Sequence, residues 1–169
     1  MIPRKLKNFA LFVDGYGYAG RCEEIALPKL TRKMEEFRAG GMDGPVEIDL
    51  GQEKLECEVT LAEYDESVIK QYGLQDGSAV KVKMKGSIER DDASGDKDPV
   101  EVVLQGRWRE LDFGTWKGGE NSTLKMAVAA TYYKYSSKGE DLIEIDLVNM
   151  VCLVGGQDRL ATTRANLGI

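Results

Sequence analysis

Apolar and polar side chains alternate one for one in four stretches of the chain. Val46, Ile48 and Leu50 alternate with Glu47 and Asp49, and Leu55, Cys57, Val59 and Leu61 alternate with Glu56, Glu58 and Thr60. Val80, Val82 and Met84 alternate with Lys81, Lys83 and Lys85, and Ile143, Ile145 and Leu147 with Glu144 and Asp146. Successive side chains on a strand point to opposite faces, so this period predicts half-buried strands of an antiparallel sheet. Segments 99–111 and 122–135 also read as strands, and TYYKY at 131–135 is rich in β-formers. Asp14-Gly15, Gly40-Gly41, Asp76-Gly77, Gly118-Gly119 and Lys138-Gly139 predict turns between these runs.

Helical signals are few. Asp65 is placed to cap a short helix in which Val68, Ile69 and Tyr72 share a face, ended by Gly73. From Gln157 to Asn166 the chain places Leu160, Arg164 and Leu167 at helical spacing. The stretch LPKLTRKMEEFRAGG fits two periods. Leu27, Leu30, Met34 and Phe37 fall on one helical face, with Pro28 to start the helix and Gly40 to stop it. Alternation instead puts Arg32, Met34, Glu36 and Arg38 on one side of a strand. Local spacing favours the helix. DDASGDKDP at 91–99 is polar and charged and reads as an exposed hairpin loop.

Composition narrows the function. The chain has 169 residues, which suits one domain, with 42% apolar and 31% charged residues. Its net charge of -6 argues against a general grip on nucleic acid, which needs clustered Lys and Arg. Cys22, Cys57 and Cys152 are odd in number and lack C-x-x-C spacing, which points away from a disulfide framework or zinc site and toward a reducing compartment. The opening MIPRKLKNFALF lacks the long apolar run of a secretory signal, and no apolar stretch approaches the length of a spanning helix.

Three patterns resemble chemistry. Gly15, Gly17 and Gly20 form G-x-G-x-x-G after a candidate strand, FALFVD. A dinucleotide site would need a crossover helix next, and Pro28 arrives too soon for one, so a hairpin turn at Asp14-Gly15 is the better reading. There is no histidine, which removes Ser-His-Asp and Cys-His nucleophiles and the commonest metal ligand. The acidic doublets Glu23-Glu24, Glu35-Glu36 and Asp91-Asp92 would point to opposite faces of a strand, and 91–98 lacks the flanks and distal Glu of a calcium loop. Lys81, Lys83 and Lys85 make a basic stripe without the aromatic residues that stack on single-stranded nucleic acid. No enzyme activity, cofactor or metal is expected.

Several segments together resemble a known family. They are MIP at 1–3, LFVDG at 11–15, LPKLTRKMEEFRAGGMDGPVEIDLG at 27–51, DFGTWKGGE at 112–120, YYKY at 132–135, EIDLVN at 144–149 and the final LGI. They look like the major tail tube protein of contractile-tailed phages, a family that includes the tubes of R-type bacteriocins. Leu147 stands where that pattern has proline, Gly44 where alanine is common, and 91–99 is longer and more charged.

The resemblance implies a mainly β, antiparallel barrel or sandwich with one short flanking α-helix, forming a single domain over 1–169. It implies hexameric rings stacked into a tube that encloses the channel for DNA ejection. It turns 29–38 and 45–51 into a long β-hairpin, an extension at about 29–51, against the local helix reading. Arg38, Gly40, Gly41, Met42, Asp43 and Gly44 at its tip would then contact a neighbouring subunit or ring. The implied partners are further copies of the chain, the tail sheath protein, the baseplate and the tape measure protein, with DNA passing without specific binding. The implied location is the virion tail, after synthesis in the bacterial host cytoplasm. The alternative is the tube of a headless contractile device, a bacteriocin or secretion-type tube.

Overall fold

The computed structural model describes residues 2–74, 79–92 and 94–169. The turn expected at Asp76-Gly77 lies outside them. The first half of the chain contains β1 (Lys5–Val13), β2 (Tyr16–Gly17), β3 (Cys22–Ala26), β4 (Arg32–Phe37), β5 (Val46–Gln52), β6 (Leu55–Leu61) and helix α1 (Glu66–Ile69). The second half contains β7 (Val80–Glu89), β8 (Lys97–Asp112), β9 (Leu124–Ser137), β10 (Glu140–Asp146), β11 (Val151–Val154), β12 (Gln157–Asp158) and helix α2 (Ala161–Leu167). The fold is mainly β and every strand pairing is antiparallel. Among the described residues no helix is long and apolar enough to cross a membrane.

One large sheet runs in the order β12-β11-β10-β9-β8-β7-β1-β2. It forks at β9. One edge of β9 follows β8, while the other is shared: Leu124 to Ala130 pair with β6, and Tyr132 to Ser137 pair with β10. β3 pairs with the free edge of β6. The fork lets β1, β6, β7, β8, β9 and α1 point side chains into one core, which includes Leu11, Leu61, Val68, Val82, Leu104 and Val128, all wholly buried. The close approach of β8 to β9 depends on Gly106. A Cβ there would lie 2.1 Å from the Ala129 carbonyl oxygen, at a bulge between Gln105 and Gly106.

Local chemistry explains several elements. Asp14 and Gly15 carry φ of 47° and 88° and join Val13 to its partner Tyr16, the positive-φ pair of a two-residue hairpin turn. The Asp65 carboxylate accepts from the N–H groups of Ser67 (2.9 Å) and Val68 (3.1 Å), capping α1 as its position predicts.

Three expectations change. Residues 27–40 contain no helix, because the backbone groups of 32–37 are bonded across to 46–52 instead. The expected loop at 91–99 ends early: Lys97, Asp98 and Pro99 pair with Glu89, Ile88 and Ser87. Asp98 is held there by ion pairs to Arg4 and to Lys138, the latter at 3.1 Å. The described residues contain two helices, where the resemblance implies one. The C-terminal helix starts only at Ala161, since Gln157 and Asp158 extend the sheet beside β11. Arg164 anchors it by donating to the Met150 carbonyl at 2.8 Å and by pairing with Asp158.

Candidate functional site

β4 and β5 form a two-stranded sheet of their own. The register sets Phe37 opposite Val46, Glu36 opposite Glu47, Glu35 opposite Ile48 and Met34 opposite Asp49, with a bulge between Arg32 and Met34. Directly opposed residues share a face. One face therefore carries Phe37, Val46, Ile48 and Leu50 with Glu35, and the other carries Met34, Glu36, Glu47 and Asp49.

The alternation in β5 predicts an apolar face packed on a core. In the isolated subunit that face is open: Val46, Ile48 and Leu50 are 48%, 45% and 51% exposed. Phe37 beside them is 50% exposed. Such a row of large apolar groups marks an interaction surface. Isolated two-stranded ribbons are marginal in water, so this one needs support.

Part of that support is polar. The Arg32 Nε donates to both oxygens of Asp49, at 2.8 and 3.1 Å, tying the two strands together. The Asp49 carboxylate also accepts from the Gly51 N–H at 2.9 Å. The Arg32 hydrogen bond, then that backbone N–H, holds the Asp49 carboxyl below its ordinary range. At the base, the Glu53 N–H and the Gln52 side-chain amide both donate to the Thr31 carbonyl, at 2.9 and 3.1 Å.

The tip is closed on itself. Arg38 donates to the Asp43 carbonyl at 3.2 Å, and Gly41 turns the chain with φ of 88°. Arg38, Gly40, Gly41, Asp43 and Gly44 are exposed. Met42 is half-buried, its Sδ 3.3 Å from the Ala39 nitrogen. The structure thus brings these residues together in one loop at the end of the hairpin, with Met42 folded partly back onto it.

The other candidates take structural places. The glycines at 15–20 serve the β1–β2 turn and lead into strand β3. Asp14 accepts from the Lys81 N–H at 2.9 Å and from the Gln71 amide at 2.6 Å, while Gln71 accepts from Trp108 Nε1 at 3.1 Å. The lysine stripe is offset by Glu101 on β8, 3.6 Å from Lys83 and 3.9 Å from Lys85. Burial raises the Cys22 and Cys57 thiols to about 11 and about 12, so neither is a ready nucleophile.

One surface feature had no signal in the sequence. Trp116 is 78% exposed, yet its Nε1 donates to the Tyr64 hydroxyl at 3.1 Å. That hydroxyl in turn donates to the Phe113 carbonyl at 2.6 Å. Tyr64 is far in the chain from Phe113 and Trp116, and only the placement of the 113–123 loop brings it to them.

Comparison with known proteins agrees with this architecture. The family described as phage tail tube protein FII matches residues 3–168. The chain is 42% identical to the tail tube protein of Escherichia phage P2 over 171 aligned positions, covering 99% of each. It is 36% identical over 152 positions to the major tail tube protein of Serratia phage KSP20, covering 89% of this chain and 86% of the relative. Two solved structures of an extracellular contractile injection system share its fold. A chain of the PVC sheath-tube complex in the extended state superposes with a TM-score of 0.59 at 8% identity, over 80% of this chain and 92% of the other. A chain of the sheath/tube terminator of that system superposes with a TM-score of 0.60 at 9% identity, over 80% and 98%.

Proposed function

The chain belongs to the phage tail tube protein FII family, as a major tail tube subunit of a contractile tail, and we propose that its copies close into hexameric rings stacked into a hollow tube. The observation that carries this reading is the β4–β5 hairpin, which has an apolar face its own subunit leaves open. Both outer edges of that hairpin are also without a strand partner among the described residues, a feature that favours joining to another strand. Head-to-tail contacts between unlike patches close into rings or run on as filaments. In this reading the sheets of neighbouring subunits complete a barrel around the lumen, and the tip from Arg38 to Gly44 touches the adjacent ring.

The subunit acts as scaffold and not as enzyme. Its outer surface serves the sheath, and its ends meet the baseplate and the tape measure protein. Its net charge of -6 suits a channel through which DNA slides, since an acidic wall does not hold phosphate. The subunit is made in the host cytoplasm and resides in the virion tail. A headless contractile device would use the same subunit in the same way, and capsid and terminase genes beside this one separate the two.

Negative-stain microscopy of the concentrated protein is expected to show six-fold rings or tubes. Monomers under every condition, with no tube in the particle of origin, would sink the proposal. Met42→Asp at the tip is expected to block polymerisation and leave the circular dichroism spectrum unchanged. Unimpaired polymer would remove the tip from the contact.

A further inference from the structure

Aspartate is followed by glycine at 14–15, 43–44 and 76–77, the last outside the described residues. Such a step can react with itself. The glycine nitrogen is able to attack the aspartate side-chain carbon, because glycine has no Cβ to hinder the approach. Whether it does so depends on what holds the carboxyl and the N–H. The fold treats the two described steps in opposite ways.

Asp14 is fixed. Its Oδ1 accepts from the Lys81 N–H at 2.9 Å and its Oδ2 from the Gln71 amide at 2.6 Å. Its own N–H donates to the Lys81 carbonyl at 2.9 Å. Attack by the Gly15 nitrogen would have to break both carboxylate bonds inside a paired hairpin turn.

Asp43 is not held in this way. It lies with Gly44 in the exposed loop between β4 and β5. Among the described residues its carboxylate has no hydrogen bond or ion pair, and the Gly44 N–H has no backbone acceptor. A Cβ on Gly44 would meet nothing within 4 Å, so the loop has room for a ring. The contact that Asp43 does make favours reaction: the Arg38 guanidinium donates to its main-chain carbonyl at 3.2 Å. That carbonyl and the Gly44 N–H belong to one peptide unit. A cationic donor on the oxygen draws charge from the nitrogen and makes its proton easier to lose.

We infer that Asp43–Gly44 is a site of spontaneous conversion to isoaspartate through a succinimide, promoted by Arg38, and that the fold protects Asp14–Gly15 from the same reaction. In ring closure a bond forms between the Gly44 nitrogen and the Asp43 Cγ. The carboxyl C–O bond breaks, and its hydroxyl leaves with the Gly44 proton as water. In ring opening one water returns. Its hydroxyl adds to the Asp43 main-chain carbonyl carbon, the bond from that carbon to the Gly44 nitrogen breaks, and the nitrogen takes up the proton. Arg38 polarises that same carbonyl, so it directs opening toward isoaspartate. No oxidant, metal or second chain takes part, so the step is independent of how copies assemble. Mass and charge end unchanged, but the tip main chain is longer by one methylene.

The test is tryptic peptide mapping with electron-transfer fragmentation, after weeks in warm, mildly acidic buffer where the carboxyl can shed its oxygen as water. Asp14, Asp43 and Asp76 fall on separate peptides. The folded chain is expected to accumulate isoaspartate at Asp43 and not at Asp14, whereas the chain unfolded in urea converts both. Arg38→Gln is expected to slow the Asp43 reaction about threefold to tenfold, the rate equivalent of one long, exposed hydrogen bond. It should also lower the ratio of isoaspartate to aspartate in the product, which a loss of loop structure alone would not do. Gly44→Ala, which the open surroundings of Gly44 accommodate, should slow conversion as well, and circular dichroism confirms the fold of both variants. An unchanged Asp43 in the folded chain, when the unfolded chain has converted, would overturn the inference. Equal conversion at Asp14 and Asp43 in the folded chain would overturn the protection, and an unaltered rate and ratio in Arg38→Gln would overturn the role of Arg38.

Discussion

Arg32 and Asp49 clasp the hairpin from opposite strands, with the Arg32 Nε 2.8 Å from one carboxylate oxygen and 3.1 Å from the other. The pair is exposed, so its part is to hold the strands in register more than to stabilise the subunit. The Asp49 carboxyl is held below its ordinary range, chiefly by Arg32. A depressed carboxyl contributes stability above its unfolded value, near 3.9, and loses it as pH falls through the folded value. Carboxyl-carbon NMR is therefore expected to show Asp49 titrating below about 3.9. Arg32→Gln should raise it toward the ordinary range, with the Gly51 N–H still holding it partly down.

Burial separates two strands with the same alternation. Leu61 in β6 is 0% exposed and Ile48 in β5 is 45% exposed. Leu61→Ala is expected to cost about 2–5 kcal/mol in urea unfolding of the monomer. Ile48→Ala should change monomer stability by less than about 0.5 kcal/mol, as for surface substitutions, while weakening polymerisation. Equal losses in both variants would mean that the hairpin is packed within its own subunit.

Gly106 should tolerate no side chain. The added Cβ of Gly106→Ala would meet backbone atoms of Ala129 and Ala130, which cannot swing away as a side chain could. Overpacking of this kind costs about 1–3 kcal/mol, and chemical denaturation should register at least that much. Gly118→Ala, where the added Cβ meets nothing within 4 Å, is the control.

Asp14 joins a turn to the core through Gln71 and Trp108. Asp14→Ala removes the acceptor for the Lys81 N–H and for the Gln71 amide. The expected loss is about 1–2 kcal/mol, with a shift in tryptophan emission as Gln71 lets go of Trp108. A stability change without an emission change would mean that the link stops at Gln71.

Much of the fold was readable from local chemistry. Alternation marked β5, β6, β7 and β10, Asp14-Gly15 marked a turn, and Asp65 marked the start of α1. Each signal depends on residues within a few positions of one another. Segment 27–40 was not readable that way, because helical and strand periods both fit it. The choice is made by pairing with 46–52, a partner the segment itself does not contain. The tip loop was placed only by likeness to a family, and the aromatic contact of Tyr64 with Trp116 had no local mark.

The sequence by itself determined which side chains of each strand share a face, since backbone geometry sets a period of two. It did not determine what covers that face. VEIDL in β5 and LECEV in β6 have the same pattern, yet the first is open and the second buried. The difference lies in neighbours: β6 is paired on both edges, by β3 and β9, and points into the core, while among the described residues β5 pairs with β4 alone. Burial is a property of the packed ensemble of strands, and only the tertiary structure could assign it.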